Sequence, residues 1–236
     1  EAQGIGQTGA LRVGSAPRQP LALPDHRTAF TAILAGLRDA GIATSDLSIA
    51  AHRVVHGGPD LTETTEVTPA VRAAIAAAQQ LAPLHNPHHL SAIDALAALM
   101  PELPQFAAFD TGFHRTNPDV ARRYALPEKP ETAALSRYGF HGISYESLAR
   151  NFTAQTGAPL PDRLLALHLG NGVSLCAIRE GRSVATTMGF SPLGGLTMGT
   201  RAGEIDAGAV LHLVGDLGLE AAQRLLHHES GLLGLS

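Results

Sequence analysis

Residues 164–188 read LLALHLGNGVSLCAIREGRSVATTM, and this stretch predicts three consecutive β-strands joined by two tight turns. Asn171-Gly172 separates two apolar runs, which is the strongest short-range signal of a β-hairpin. Glu180-Gly181 marks the second turn, before a third strand over residues 183–188. We therefore expect antiparallel strands in the second half of the chain.

Helices and further strands are predicted on both sides of this stretch. Strands are expected at residues 10–13, 49–55 and 105–109, the second of them buried. Cap chemistry predicts helices that begin at Asp25, Thr68 and Ser144. Further helices are expected from about His88 to Met100 and from about Asp206 and Leu219. This α/β alternation indicates two lobes, residues 1–112 and 113–236, with the boundary near Gly112.

Composition narrows the classes of function. The 236 residues carry a formal net charge of −4 and no block of Lys or Arg, which argues against nucleic acid or an anionic membrane as a partner. Cys176 is the one cysteine, so an internal disulfide framework is excluded, and a reducing cytoplasm is the expected location. No apolar run approaches the roughly 20 residues that a membrane-spanning helix needs.

Polar residues and glycines gather in a few short segments. These read HRVVHGG (52–58), LHNPHH (84–89), FDTGFH (109–114), RYGFHG (137–142), HLGNG (168–172) and MGFSPLGGLTMGTR (188–201). Together they supply three arginines (Arg53, Arg137 and Arg201), one carboxylate, several histidines and glycine-rich turns, without a serine or cysteine nucleophile motif. Such a set suits phosphoryl transfer, in which catalysis consists mainly of positioning and charge neutralisation.

Each segment also has a simpler interpretation. Arg53 could bridge loop carboxylates, and Asp110 could cap the helix that follows it. The histidines His85, His88 and His89 could hold zinc in a metallohydrolase, but no cysteine or His-Glu-x-x-His helix accompanies them. A helix start capped by Asn86, with two exposed histidines, explains that segment without a metal.

Taken in order, these segments resemble the acetate kinase family. The matching stretches are HRVVHGG, LAPLHNP, FDTGFH, RYGFHG, HLGNG and MGFSPLGGLTMGTRAGEID, and the final ESGLLGLS is similar to the family segment that follows. The resemblance implies a two-lobed actin-like (ribonuclease H-like) ATPase fold. It also implies reversible phosphoryl transfer from ATP to acetate, giving acetyl phosphate and ADP, with Mg²⁺ or Mn²⁺, in a cytoplasmic homodimer.

The resemblance further implies roles for individual residues. Arg53 and Arg201 would bracket the phosphoryl group, His141 would stabilise the transition state, and Asp110 would orient reactants or help to hold the metal. The nucleotide phosphates would lie near His168, Asn171 and Gly172. The pocket for the acetate methyl group would be lined by Val55, Leu84, Phe140 and Pro192.

Two features of the family have no match in this sequence. The opening Asn-x-Gly-Ser-Ser-Ser turn and the later adenosine-binding segments are absent, so we expect a fold that is incomplete at both ends. A truncated, non-catalytic fragment is therefore one alternative. Propionate kinase is the other, because a single methylene changes specificity by only about 1–3 kcal/mol.

Overall fold

The computed structural model describes residues 1–236, which divide into two compact units. The first unit comprises Glu1–Val54 and Thr64–Ala108, and the second comprises Val55–Glu63 and Phe109–Ser236. The loop 55–63 thus belongs to the unit that is formed mostly by the second half of the chain. A single boundary near Gly112 would instead assign this loop to the first unit.

The first unit contains six short strands and three helices. Its elements are β1 (Ala2–Gln3), β2 (Ala10–Leu11), β3 (Gln19–Pro20), α1 (His26–Asp39), β4 (Ala50–Val54), β5 (Thr65–Glu66), α2 (Pro69–Ala77), α3 (Asn86–Leu99) and β6 (Gln105–Phe109, whose last residue opens the second unit). β1, β2 and β3 form one antiparallel sheet, and the second sheet has the order β4-β6-β5. Its core contains Ala29, Val54, Ile75, Leu90, Ile93 and Ala107.

Two of the helix starts in this unit are confirmed. The Asp25 carboxylate accepts the Thr28 N–H, and the Thr68 hydroxyl accepts the Val71 N–H ahead of a proline in the first turn. Each bond satisfies a backbone donor that the first turn of a helix leaves without an internal partner.

Two details of this unit differ from the prediction. Asn86 is not a cap but the first residue of α3, and its buried side chain donates a hydrogen bond to the Ile75 carbonyl. Strand β4 is not uniformly buried, because Ile49, just before it, is 60% exposed and only Val54 within it is fully buried. An apolar run marks a strand, but it does not show which of its faces is covered.

The second unit contains three strands and four helices. They are α4 (Asp119–Arg122), α5 (Gly142–Thr156), β7 (Arg163–Leu169), β8 (Val173–Arg179), β9 (Arg182–Thr186), α6 (Ala207–Leu217) and α7 (Leu219–His228). The predicted hairpins are confirmed: β8 pairs antiparallel with both β7 and β9, and Leu169 lies opposite Val173 across the Gly170–Gly172 turn. The core under this sheet consists of Phe113, Tyr145, Ala166, Cys176 and Ile178.

Helix α5 begins before the serine that was predicted to cap it. Its N-cap is His141, which adopts a left-handed conformation with φ of 62°, and the Ser144 hydroxyl contacts His168 instead. The last two helices begin as predicted, with the Asp206 carboxylate accepting the Ala209 N–H at the start of α6. None of the helices is both long enough and apolar enough to cross a bilayer.

Candidate active site

The loop 139–142 holds His141 in a fixed place. The Gly142 N–H donates to the Asp110 carbonyl over 2.8 Å, and a Cβ at Gly142 would lie 2.3 Å from that same oxygen. Only glycine permits so close a backbone approach. The residue next to His141 is therefore hydrogen-bonded to the backbone of Asp110, which is 2% exposed.

The ring of His141 is fixed by two contacts. It stacks on the ring of His168, with centroids 3.9 Å apart and planes inclined by 18°. Its Nδ1 lies 2.8 Å from the hydroxyl of Ser174, which is fully buried on β8. On the other side of the stack, His168 Nδ1 lies 3.0 Å from the Ser144 hydroxyl. Both imidazoles are thus oriented by serine hydroxyls.

Two polar groups lie close to Gly172, at the position where any other residue would carry its Cβ. A Cβ placed there would lie 2.9 Å from His141 Nε2 and 3.5 Å from Arg201 Nη1. Asn171 is exposed at the tip of the same turn. A neutral or protonated imidazole and a guanidinium that face one small space can hold a phosphate-like anion.

Arg201 is half-buried and enters from the glycine-rich loop. Its Nη1 donates to the Pro192 carbonyl over 3.2 Å, and burial lowers the pKa of its guanidinium below the usual value. Arginine nevertheless stays charged in proteins. A cation removed from water in this way interacts more strongly with an anion than an exposed one does.

The glycine-rich loop is held in place by the end of the chain. Leu232 donates its N–H to the Met198 carbonyl, and Leu233 donates to the Gly199 carbonyl, each over 2.9 Å. Met198 itself is fully buried. The loop that carries Arg201 therefore has a defined conformation.

Phe140 and its neighbours form a buried support behind His141. The Phe140 side chain is 1% exposed, and its carbonyl accepts a hydrogen bond from His114 Nε2 over 2.9 Å. Burial lowers the pKa of His114 to about 4, and it does the same for His56, whose ring lies edge-on to Phe140. Both imidazoles are therefore neutral at pH 7.

The remaining predicted residues lie elsewhere in the two units. Val55 opens the second unit and is 3% exposed, whereas Leu84 belongs to the first unit and is 54% exposed. Arg53 is exposed on β4 of the first unit, where its charge contributes to the low pKa of His89, about 4, which burial mainly causes. The contacts that join His141, His168, Gly172, Arg201 and Pro192 thus lie within the second unit alone.

Metal ligands do not cluster in either unit. No three His, Cys, Asp or Glu side chains are close enough together to hold an ion, and this includes the histidines of residues 85–89. His89 is not exposed as predicted, since its ring is largely buried and its Nε2 lacks a hydrogen-bond partner. The zinc alternative therefore has no geometric support.

Sequence reasoning missed three residues that orient the stacked histidines. They are Ser144, Tyr145 and Ser174, and the Tyr145 and Ser174 hydroxyls are 2.6 Å apart. Ser144 and Tyr145 lie in the first turn of α5, just after the RYGFHG segment, and Ser174 is two positions after Gly172. Their nearness to a motif was the one signal available.

The sequence matches a known protein family. Residues 6–236 match the model of the acetokinase family. The chain is 48% identical over 208 residues to an acetate kinase of Rhodopseudomonas palustris, covering 87% of this chain and 52% of that protein. It is 42% identical to an acetate kinase of Nitrobacter hamburgensis, covering 100% of this chain and 60% of that protein.

Solved structures show the same relationship. The Porphyromonas gingivalis acetate kinase superposes with a TM-score of 0.87 at 32% identity, covering 100% of this chain and 62% of that one. A propionate kinase from Francisella tularensis gives a TM-score of 0.87 at 32% identity, covering 99% and 62%. The fold is that of these small-carboxylate kinases, and the chain belongs to the acetokinase family. It spans about half to three fifths of the length of the relatives that it matches.

Proposed function

We propose that this chain forms part of the active site of an acetate kinase, which transfers a phosphoryl group from ATP to acetate and yields acetyl phosphate and ADP reversibly. The observation that carries the proposal is the convergence of His141 Nε2 and Arg201 Nη1 on the Cβ-free side of Gly172. Membership of the acetokinase family supports it.

Each group in the second unit has a part in this proposal. Arg201 neutralises charge on the phosphoryl group as it moves, and its burial makes that interaction stronger. His141 donates a hydrogen bond to the same group. His168, Asn171 and Gly172 form the turn that lies near the nucleotide phosphates. Arg53 of the first unit is proposed as the second bracketing arginine.

Mg²⁺ is compatible with the residues present. The ion is commonly held by one or two carboxylates together with substrate phosphates and water, so the single buried carboxylate of Asp110 fits it. When bound, the ion would neutralise phosphate charge. Mn²⁺ has similar ligand preferences.

The carboxylic acid substrate is proposed from the apolar residues. Val55, Leu84, Phe140 and Pro192 would line the pocket for the methyl group of acetate. Propionate is the second candidate, because the Francisella tularensis propionate kinase is as similar in structure as the acetate kinase. The homodimer and the cytoplasmic location stay predictions.

The test measures ADP formation from MgATP with acetate or propionate, and hydroxylamine trapping of the acyl phosphate product. We expect acetate-dependent turnover that falls by about 10³-fold or more in Arg201→Ala, as for other arginines that stabilise a phosphoryl group. Arg150→Ala is the matched control, because Arg150 is 76% exposed on α5 and pairs only with Glu146.

Either of two results would overturn the proposal. Near-normal turnover of Arg201→Ala would remove Arg201 from the reaction. Nucleotide binding without any turnover by the unaltered chain would replace the kinase with a non-catalytic, ligand-binding fragment of one.

A further inference from the structure

We propose that Ser174 is a positioning residue that holds the neutral His141 imidazole with its proton on Nε2. This inference rests on the proposed role of His141 in phosphoryl transfer. It assigns a role to the buried hydroxyl of Ser174.

Ser174 connects two side chains of the second unit. Its Oγ lies 2.8 Å from His141 Nδ1 and 2.6 Å from the Tyr145 hydroxyl, and Ser174 itself is fully buried. A serine hydroxyl has one proton to donate and two lone pairs that accept. Because the hydroxyl is fully buried and has these two partners, its proton goes to one of them, and the other partner donates to one of its lone pairs.

The surroundings of Tyr145 decide which neighbour receives the proton. The Ser174 hydroxyl, 2.6 Å away, is the hydrogen-bond partner of the Tyr145 hydroxyl. Tyr145 must then donate its own proton to Ser174, since Tyr145 is 1% exposed and the opposite direction would leave that proton without an acceptor.

The order of donors follows from this step. Tyr145 donates to Ser174, and Ser174 donates to His141 Nδ1, so Nδ1 is an acceptor and the proton of the neutral ring lies on Nε2. That nitrogen faces the Cβ-free side of Gly172, beside Arg201 Nη1. The imidazole can thus donate a hydrogen bond without a positive charge, which avoids repulsion between an imidazolium and the adjacent guanidinium.

The test observes the ring nitrogens directly by ¹⁵N–¹H correlation NMR of histidine-labelled protein. In the unaltered chain we expect His141 to show a protonated Nε2 and an unprotonated Nδ1. In Ser174→Ala the two tautomers should mix, and kcat should fall by about 10- to 100-fold, as it does when a metal-ligating histidine loses the group that orients it. The KM for ATP should change little.

Ser183→Ala is a closely matched control. Ser183 is also fully buried on the same sheet, and its Oγ lies 2.8 Å from Nδ1 of another histidine, His114. Both variants lose a buried serine–histidine contact, but only Ser174→Ala should alter the His141 signals. The control separates a change at His141 from a general loss of packing.

The outcomes separate this inference from the proposed function. A protonated Nδ1 on His141 in the unaltered chain refutes the inference, whether or not any variant folds. Unchanged His141 tautomer signals in a folded Ser174→Ala variant refute it as well. Absence of acetate-dependent turnover in the unaltered chain, with Nε2 protonated, would contradict the kinase proposal and leave the positioning of His141 intact.

Discussion

Gly172→Ala tests the central geometry, because it adds one methyl group where His141 and Arg201 converge. The new Cβ would lie 2.9 Å from His141 Nε2 and 3.1 Å from His141 Cε1. Carbon atoms in contact prefer about 3.5–4.0 Å, so the ring has to move by roughly 0.5–1 Å. Stacking on His168 and the bond to Ser174 resist that movement.

The expected effects on activity and stability differ. A displacement of about 1 Å in a reacting geometry can cost about 100-fold in rate, which corresponds to about 2.7 kcal/mol of activation free energy. The backbone of Gly172 does not have a positive φ, so alanine adds no backbone strain there. The free energy of unfolding should therefore change by only about 1 kcal/mol, since reduced entropy of the unfolded chain offsets the tight contact.

The assay compares kcat/KM for acetate-dependent ADP formation with the midpoint of urea unfolding. Gly194→Ala serves as the control, because a Cβ at Gly194 would meet no atom within 4 Å and its φ is also not positive. Full activity of Gly172→Ala would refute the reasoning. Equal losses of activity in the two variants would show that the glycine-rich segments respond to any added methyl group.

Three further outcomes are expected. Burial holds the pKa of His114 near 4, while the unfolded chain binds protons below about pH 6.5, so His114 alone should lower the free energy of unfolding by about 2 kcal/mol at pH 5. His56 and His89 add to this fall, and urea unfolding of His114→Gln should show a fall that is smaller by the share of His114. Gly231→Ala should destabilise the fold and abolish turnover, because its Cβ would lie 2.1 Å from the Met198 carbonyl at a φ of 66°. Normal unfolding and turnover of this variant would show that the contact between Gly231 and Met198 does not support the Arg201 loop. Val55→Ala should shift the ratio of kcat/KM values towards propionate by up to about 200-fold, and an unchanged ratio would remove Val55 from the pocket.

Local chemistry made many of the elements predictable from the sequence. Asp25, Thr68 and Asp206 each cap a helix by accepting a backbone N–H three residues along, a contact that only neighbouring residues determine. The turn at Asn171-Gly172 likewise needed no information from elsewhere in the chain. Elements fixed by short-range bonds were therefore predicted within one or two residues.

Ser144 shows where the same reasoning fails. A serine ahead of a helical segment resembles an N-cap, but α5 begins two residues earlier, at Gly142. The reason is the bond from the Gly142 N–H to the Asp110 carbonyl, which joins residues 32 positions apart. Tertiary contacts override a local cap preference, and the sequence gives no sign of such a contact.

The contacts around the proposed site were beyond prediction for a related reason. His141 and Ser174 are 33 residues apart, and their meeting depends on how α5 packs on the sheet. Alternation along β8 predicts that Ser174 points inward, because Cys176 and Ile178 share its face. It does not predict which side chain the hydroxyl meets, since packing of a helix on a sheet has no simple sequence code.

The chain contains two Gly-Phe-His triplets, residues 112–114 and 139–141, whose histidines have contacts that the sequence does not predict. In sequence they are alike, and in the structure each histidine has its Nδ1 2.8 Å from a buried serine hydroxyl. They differ in what the second ring nitrogen meets. His114 Nε2 donates to the Phe140 carbonyl, so His114 supports the backbone that carries His141.

His141 Nε2 instead faces the space beside Gly172 and Arg201. His114 is 2% exposed, and both of its ring nitrogens bond within the fold. Loss of the His114 ring should reduce activity only by displacing Phe140, so His114→Gln should lose stability and activity together. His141→Gln should lose activity at nearly unchanged stability.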